Sequence, residues 1–123
     1  MGIFPYILFK ICYTQIMQII AVYVSFKNLA EARKIGFYLL KHKLVVCANY
    51  FPISSIYLWQ GKIEQASEFV GIFKSKKENW SKIKSEIKKL HSYEIPMILK
   101  FEIESNSEYK NWLFDELKGR RTS

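Results

Sequence analysis

The run "LVVCANYFPISSIYLWQGKIEQASEFVGIFK", Leu44 to Lys74, constrains the fold more than any other part of this chain. Its first half, Leu44 to Trp59, is dominated by β-branched and aromatic residues, which suit a pleated strand. Pro52 interrupts that strand, and a residue without an N–H is tolerated only at a sheet edge or a bulge. Gln60 and Gly61 then form a tight turn, and Lys62 to Lys74 alternates as the returning strand of a hairpin. Two long strands cannot stand alone in water, so the remaining segments must supply a sheet for them to join.

They do. Gln18 to Ser25, "QIIAVYVS", is nearly all apolar and reads as a central strand packed on both faces. Asn28 with Glu31 three positions later forms a capping box, and Ala32, Ile35, Gly36, Leu39 and Leu40 follow at helical spacing. That helix ends in Lys41, His42 and Lys43, cationic side chains that favour the negative end of the helix dipole. Ser75 and Glu78 read as a second capping box, opening a helix whose Trp80, Ile83, Ile87 and Leu90 share one face. Lys77, Lys82, Lys84, Lys88 and Lys89 fall largely opposite and read as a solvated surface. Met97 to Ile103 is a further strand. Ser105 to Glu108 caps a short last helix with Tyr109, Trp112, Leu113 and Leu117 along one side, stopped by Gly119.

The order is therefore β-α-β-β-α-β plus a terminal helix, an α+β fold of the ferredoxin-like, split βαβ kind. Right-handed crossovers place the first two helices on one face of an antiparallel sheet. Strands one to three carry apolar or aromatic side chains on both alternating sets, so the second face needs cover, and association with further copies supplies it economically.

A length of 123 residues suits one domain. We divide it into a 1–16 extension of uncertain status, a 17–118 domain and a 119–123 basic tail. The extension lacks the basic start and cleavage site of a signal peptide. The uncharged run from Ile11 to Phe26 is short for a membrane span and contains Thr14, Gln15 and Gln18. Gly2 follows Met1, but the sixth position is Tyr6, where a myristoylation signal takes Ser or Thr. Of the formal net charge of +8, Lys10, Arg120 and Arg121 supply three, so the body is only moderately basic and fits solubility better than nucleic acid. Cys12 and Cys47 form no disulfide framework and point to a reducing compartment with free thiols. No phosphate loop, HExxH, CxxC or nucleophile elbow occurs, so no enzyme activity is expected. The stretch Glu68 to Lys76, "EFVGIFKSK", fits sheet packing better than an RNA-binding strand.

"LHSYEIP", Leu90 to Pro96, admits two readings. In the plain one, His91 and Ser92 end a helix, Tyr93 packs by its ring, Glu94 is solvated and Pro96 keeps Ile95 extended. In the functional one, His91, Tyr93 and Glu94 project into a cleft, where imidazole and carboxylate jointly ligate a divalent cation.

These segments together resemble the CutA divalent-cation tolerance proteins. "LVVCANYFPISSIYLWQGKIE" is similar to that family's hairpin signature, "LHSYEIP" to its histidine-proline-tyrosine-glutamate-x-proline motif and "NSEYKNWL", Asn106 to Leu113, to its closing helix. The resemblance covers about Met17 to Lys118. It implies a cytoplasmic homotrimer, PII-like in architecture, with hairpins crossing between subunits, a role in tolerance of metal ions, copper most often, and no established catalysis. Carried over by position, Tyr57, Trp59, Glu64, Lys74, Tyr93 and Trp112 mark a cleft or trimer interface, and His91 with Glu94 a metal site. There are departures: Ser92 replaces a proline, and Tyr23 and Leu90 stand where copper-associated bacterial members carry cysteine and histidine, which weakens any preference for copper. Cys47 reads as a buried small hydrophobe. The expected function is a homotrimeric binding module for cation tolerance or response. The alternatives are a PII-like sensor of a small anionic metabolite or nucleotide, using Lys74 and the basic helix ends, and a trimeric scaffold without ligand.

Overall fold

A computed structural model of the protein describes residues 17–118. The expected elements at Gly119 and the tail, and the extension with Cys12, lie outside the described residues. The chain runs β1 (Ile19–Phe26), α1 (Leu29–Lys41), β2 (Cys47–Trp59), β3 (Lys62–Lys76), a short 3₁₀ turn (Lys77–Asn79), α2 (Trp80–Leu90), β4 (Ile98–Ile103) and α3 (Ser107–Leu117). The four strands form one antiparallel sheet in the order β2-β3-β1-β4, the ferredoxin-like arrangement expected. Pro52 therefore sits in an edge strand, opposite Phe69, where its missing N–H costs no ladder bond on the outer side.

Alternation divides the side chains of β1 between two layers. Ile20, Val22, Val24 and Phe26 face α1 and α2, where they are fully buried with Ala32, Ile35, Leu39, Phe73, Ile83 and Ile87. Ile19 faces the other way, and α3 packs there with Leu113 and Leu117. The rest of that second face holds Tyr23, whose ring meets Phe51 and Phe101 edge-on, each with centroids 6.5 Å apart. Phe51 and Phe101 are exposed in the single chain.

Several boundaries differ from the sequence expectations. Leu44 to Val46 precede β2, because Lys43 adopts a left-handed φ of 56° that turns the chain out of α1. The second capping box does not form: Ser75 is the buried penultimate residue of β3, its hydroxyl donating to the Leu44 carbonyl at 2.5 Å and accepting from Asn79 at 3.1 Å. The 3₁₀ turn takes up the positions the box would have used, and α2 begins at Trp80. Leu90 is exposed rather than on the buried face. On α3 the cap is Asn106, and Trp112 is exposed while Leu113 and Leu117 are buried. Its aromatic stripe is wider than the surface the sheet offers. Lys77 pairs with Glu102 at 3.2 Å, and Lys82 and Lys89 flank Glu86, so much of the lysine face is engaged in surface ion pairs.

Gly71 sits opposite Val24, where a Cβ would approach the buried Phe73 ring at 2.8 Å and the Phe26 ring at 3.1 Å. Those two rings are locked edge-to-face at 6.2 Å and have no room to withdraw. Gly71→Ala is expected to destabilise the fold by about 1–3 kcal/mol, read as a lower denaturant midpoint at unchanged slope. An unaltered midpoint would contradict this packing.

Candidate functional site

The turn from His91 to Pro96 carries the chain around the end of the sheet, between α2 and β4. It begins as a helix terminus: the His91 N–H donates to the Ile87 carbonyl at 2.9 Å, while its ψ of 142° ends the helical run. The imidazole then folds back over β1. It stacks on Phe26 at 4.9 Å with planes only 13° apart and is 9% exposed.

Both ring nitrogens are used. Nε2 lies 2.8 Å from the Ser25 carbonyl oxygen, which can only accept, so Nε2 carries the proton and donates. Nδ1 accepts the Tyr93 N–H at 3.1 Å. Together these bonds define a neutral ring in the Nε2–H form. In this arrangement both ring nitrogens are engaged within the chain.

Tyr93 packs its ring against His91 at 4.8 Å with planes tilted by 52° and sends its hydroxyl to Glu68 Oε2 at 2.5 Å. Glu68, on β3, is 7% exposed. Burial, then the hydrogen bond to Glu68, raise the Tyr93 phenol well above its ordinary range, with Glu68, Tyr57 and Glu31 adding to the shift. Strand alternation puts Tyr57, Glu64 and Glu68 on one face of the hairpin, Tyr57 directly across from Glu64. Tyr57 lies close enough to Tyr93 to add to the rise of its phenol.

Glu31 enters from α1. Asn28 accepts the Glu31 N–H at 2.8 Å as the helix cap, but the Glu31 carboxylate does not return to complete the box. Its Oε2 takes the Ser92 N–H at 2.7 Å, pinning the turn to α1. Burial pushes this carboxyl up, yet hydrogen bonding from Ser92 and the neighbouring His91 hold it below the usual carboxylate range. Its Oε1 is buried and has no hydrogen-bond partner among the described residues.

The remaining residues named from the sequence lie elsewhere in the single chain. Glu94 is exposed. Trp59 and Glu64 stand at the hairpin tip. Lys74 lies toward the other end of β3, where its ammonium donates to Asn49 at 2.5 Å. Trp112 packs beside Tyr109 at 5.5 Å, and the Tyr109 hydroxyl meets the Cys47 thiol at 3.4 Å. Cys47 is half-buried rather than buried, and burial followed by this thiol contact raises the Tyr109 phenol. Among the described residues no three histidine, cysteine or acidic side chains converge as a metal cage. One chain therefore holds the expected cleft residues in three separate places. Glu31 and Glu68 were not recognised from sequence. Glu68 left a faint signal, an acid on the alternating set that also holds Val70 and Ile72.

Tyr93→Phe would leave the Glu68 carboxylate buried without its donor, a loss of about 1–3 kcal/mol in unfolding free energy. Adding Glu68→Met should recover most of it. Because the phenol is raised, the stability it contributes is complete below its ordinary value near ~10 and is lost as pH rises beyond. The alkaline decline in stability should accordingly be shallower in Tyr93→Phe, and parallel declines would contradict the assignment.

With this geometry in place, comparison with known proteins is informative. Residues 20–116 match the family model described as CutA1 divalent ion tolerance protein. The divalent-cation tolerance protein CutA of Thermococcus kodakarensis is 38% identical over 104 residues, covering 84% of this chain and all of that protein. Its counterpart in Thermotoga maritima is 42% identical over 95 residues, 76% of this chain and 94% of that one. Among solved structures, one described as the periplasmic divalent cation tolerance protein CutA from Archaeoglobus fulgidus superposes with a TM-score of 0.79 at 37% identity, covering 81% of this chain and 99% of its own. CutA1 from Pyrococcus horikoshii gives 0.78 at 36% identity, with the same coverage. No helix among the described residues is long and apolar enough to cross a membrane. The chain belongs to the CutA1 divalent ion tolerance family.

Proposed function

We propose that the protein is a homotrimeric, non-catalytic binding module for divalent-cation tolerance or response, working in the cytoplasm. The observation that carries this reading is the apolar surface left uncovered in one chain. Ile56, Leu58 and Ile63 at the hairpin tip are 68%, 74% and 70% exposed, and Phe51, Leu99 and Phe101 are exposed on the sheet face behind them. Surface of this extent and continuity fits burial against further copies. A hairpin reaching a neighbouring subunit would also bring Tyr57, Trp59 and Glu64 against groups that a single chain keeps distant, such as Lys74 and Trp112.

The relatives' names supply the cation. With His91 engaged inside its own chain, cation contact falls to exposed carboxylates, Glu94 and Glu64. Oxygen ligands of this kind select weakly among metals and hold no special preference for copper. The rival reading, a sensor of an anionic metabolite or nucleotide, is weakened because the Lys74 ammonium is already committed to Asn49.

Calorimetric titration of copper, zinc and magnesium into the purified protein tests the cation reading. Saturable binding of at least one ion is expected, retained in His91→Asn and weakened tenfold or more in Glu94→Gln. Absence of binding by all three would leave a scaffold, and loss in His91→Asn alone would return the imidazole to the role of ligand. Trp59→Ala should weaken assembly by about 3–5 kcal/mol, seen as dissociation on dilution to concentrations at which the parent stays associated. Identical dilution behaviour would contradict an interfacial role for Trp59.

A further inference from the structure

We infer that the outward face of α1, centred on Phe37, docks on an anionic phospholipid surface, the Phe37 ring entering the headgroup layer while Arg33, Lys34 and Lys41 meet acidic headgroups. The inference depends neither on cation binding nor on assembly. It starts from one side chain that the fold leaves unexplained: Phe37 lies well inside a helix and is 70% exposed. A single exposed apolar residue is ordinary. Phe37, however, has an apolar neighbour and a ring of charge. At about 100° per residue, Ala30, Arg33, Lys34, Leu40 and Lys41 all fall within about 60° of it around the helix, and every one of them is exposed.

Packing of the opposite side of α1 fixes this orientation. Ala32, Ile35, Gly36 and Leu39 are buried, which turns the Phe37 side away from the core. The exposed aromatic rings of Phe51 and Phe101 lie on the other face of the sheet, so the two surfaces point in opposite directions. Arg33, Lys34 and Lys41 form no salt bridge among the described residues. Glu31, the one acid within α1, gives its carboxylate to the Ser92 N–H. The Tyr38 hydroxyl joins α1 to α2 through Glu86 at 2.8 Å. There Lys82 and Lys89 share that carboxylate, while Lys88 is exposed and has no acidic partner among the described residues, so positive charge continues across both helices.

Chemistry selects the partner. Exposed cations attract any polyanion. Phe37 and Leu40 add apolar surface that gains only where it leaves water, and the boundary between headgroups and acyl chains offers both environments at once. α2 shows what a solvated face looks like in this fold: its outward positions, Ser81, Lys82, Ser85, Lys88 and Lys89, hold no apolar side chain. A nucleic acid would take up the charge and stack a base on Phe37, but it would leave Leu40 and Ala30 in water. With 13 residues, α1 is about 20 Å long against a hydrocarbon core of about 30 Å, and its inner side is held by the sheet. It therefore rests on the bilayer, with Phe37 as the wedge and the surrounding cations supplying attraction to acidic lipid.

Co-sedimentation of the full chain with phosphatidylcholine vesicles, with and without phosphatidylserine, tests the docking. Binding is expected only where phosphatidylserine is present. It should fall steeply as salt rises from about 0.01 M to about 1 M, over which the Debye length shrinks from about 30 Å to about 3 Å. Phe37→Ser should weaken binding about tenfold, as the lost burial of an aromatic side chain implies, and the double change Lys34→Glu, Lys41→Glu should weaken it at least as much. These positions are exposed, so each variant should keep the denaturant midpoint of the parent, which separates loss of binding from loss of fold. Four results would each overturn the proposal: no binding to phosphatidylserine vesicles, equal binding to both kinds of vesicle, undiminished binding by Phe37→Ser, which would place the contact at another apolar surface such as the hairpin tip, or tighter binding to single-stranded RNA than to vesicles.

Discussion

The fold depends on one property of β1: it carries apolar side chains on both faces. Ile20, Val22, Val24 and Phe26 find cover under α1 and α2, and Ile19 finds it under α3. Each Å² of apolar surface removed from water is worth roughly 25 cal/mol, so a central strand of this kind draws layers onto both sides of its sheet. Among the described residues one short helix serves the second side, and it covers the Ile19 end alone. Tyr23 therefore lies among Phe51 and Phe101 with their outer edges still facing solvent. The requirement for a further layer comes from the central strand, and the protruding hairpin extends it outward.

The opposite end of β1 is closed differently. There the turn after α2 takes the place of a helix, with His91 stacked on Phe26 and bonded to the Ser25 carbonyl, Ser92 tied to Glu31 and Tyr93 tied to Glu68. Three short polar bonds join α1, β1 and β3 through a segment with no regular structure. The bonds of His91 and Tyr93 are buried or partly buried, which makes them costly to break, whereas that of Ser92 is exposed. That concentration of polar partners at one end contrasts with the aromatic surface along the other face.

Much of this was legible from residue types. Strand alternation, the Gln60–Gly61 turn, Pro52 at an edge and the Asn28 cap each rest on short-range stereochemistry, and each appears where expected. The Ser75 cap failed because the pattern of a hydroxyl three residues before an acid cannot distinguish a cap from the end of a long strand. There, β3 kept its ladder with β1 as far as Ile19 opposite Lys76. The role of His91 was half legible: its place at a helix end follows from the pattern, but its partners, Ser25 and Phe26, are more than sixty residues away in the chain. Glu31 was read as part of a local box, whereas its carboxylate serves a turn brought close only by the folding of the sheet. Long-range polar pairing leaves no periodicity, which is why Glu31 and Glu68 escaped notice while the apolar layers did not.

The central claim is that the uncovered face of the sheet is an assembly surface. Sedimentation equilibrium of the full chain at micromolar concentration, beside a Phe101→Glu variant, tests it most directly. The account predicts the mass of three chains for the parent protein and a folded single chain for the variant, because a charge would then be buried against the neighbouring copy. A parent protein that sediments as one chain with its aromatic face in water would contradict it.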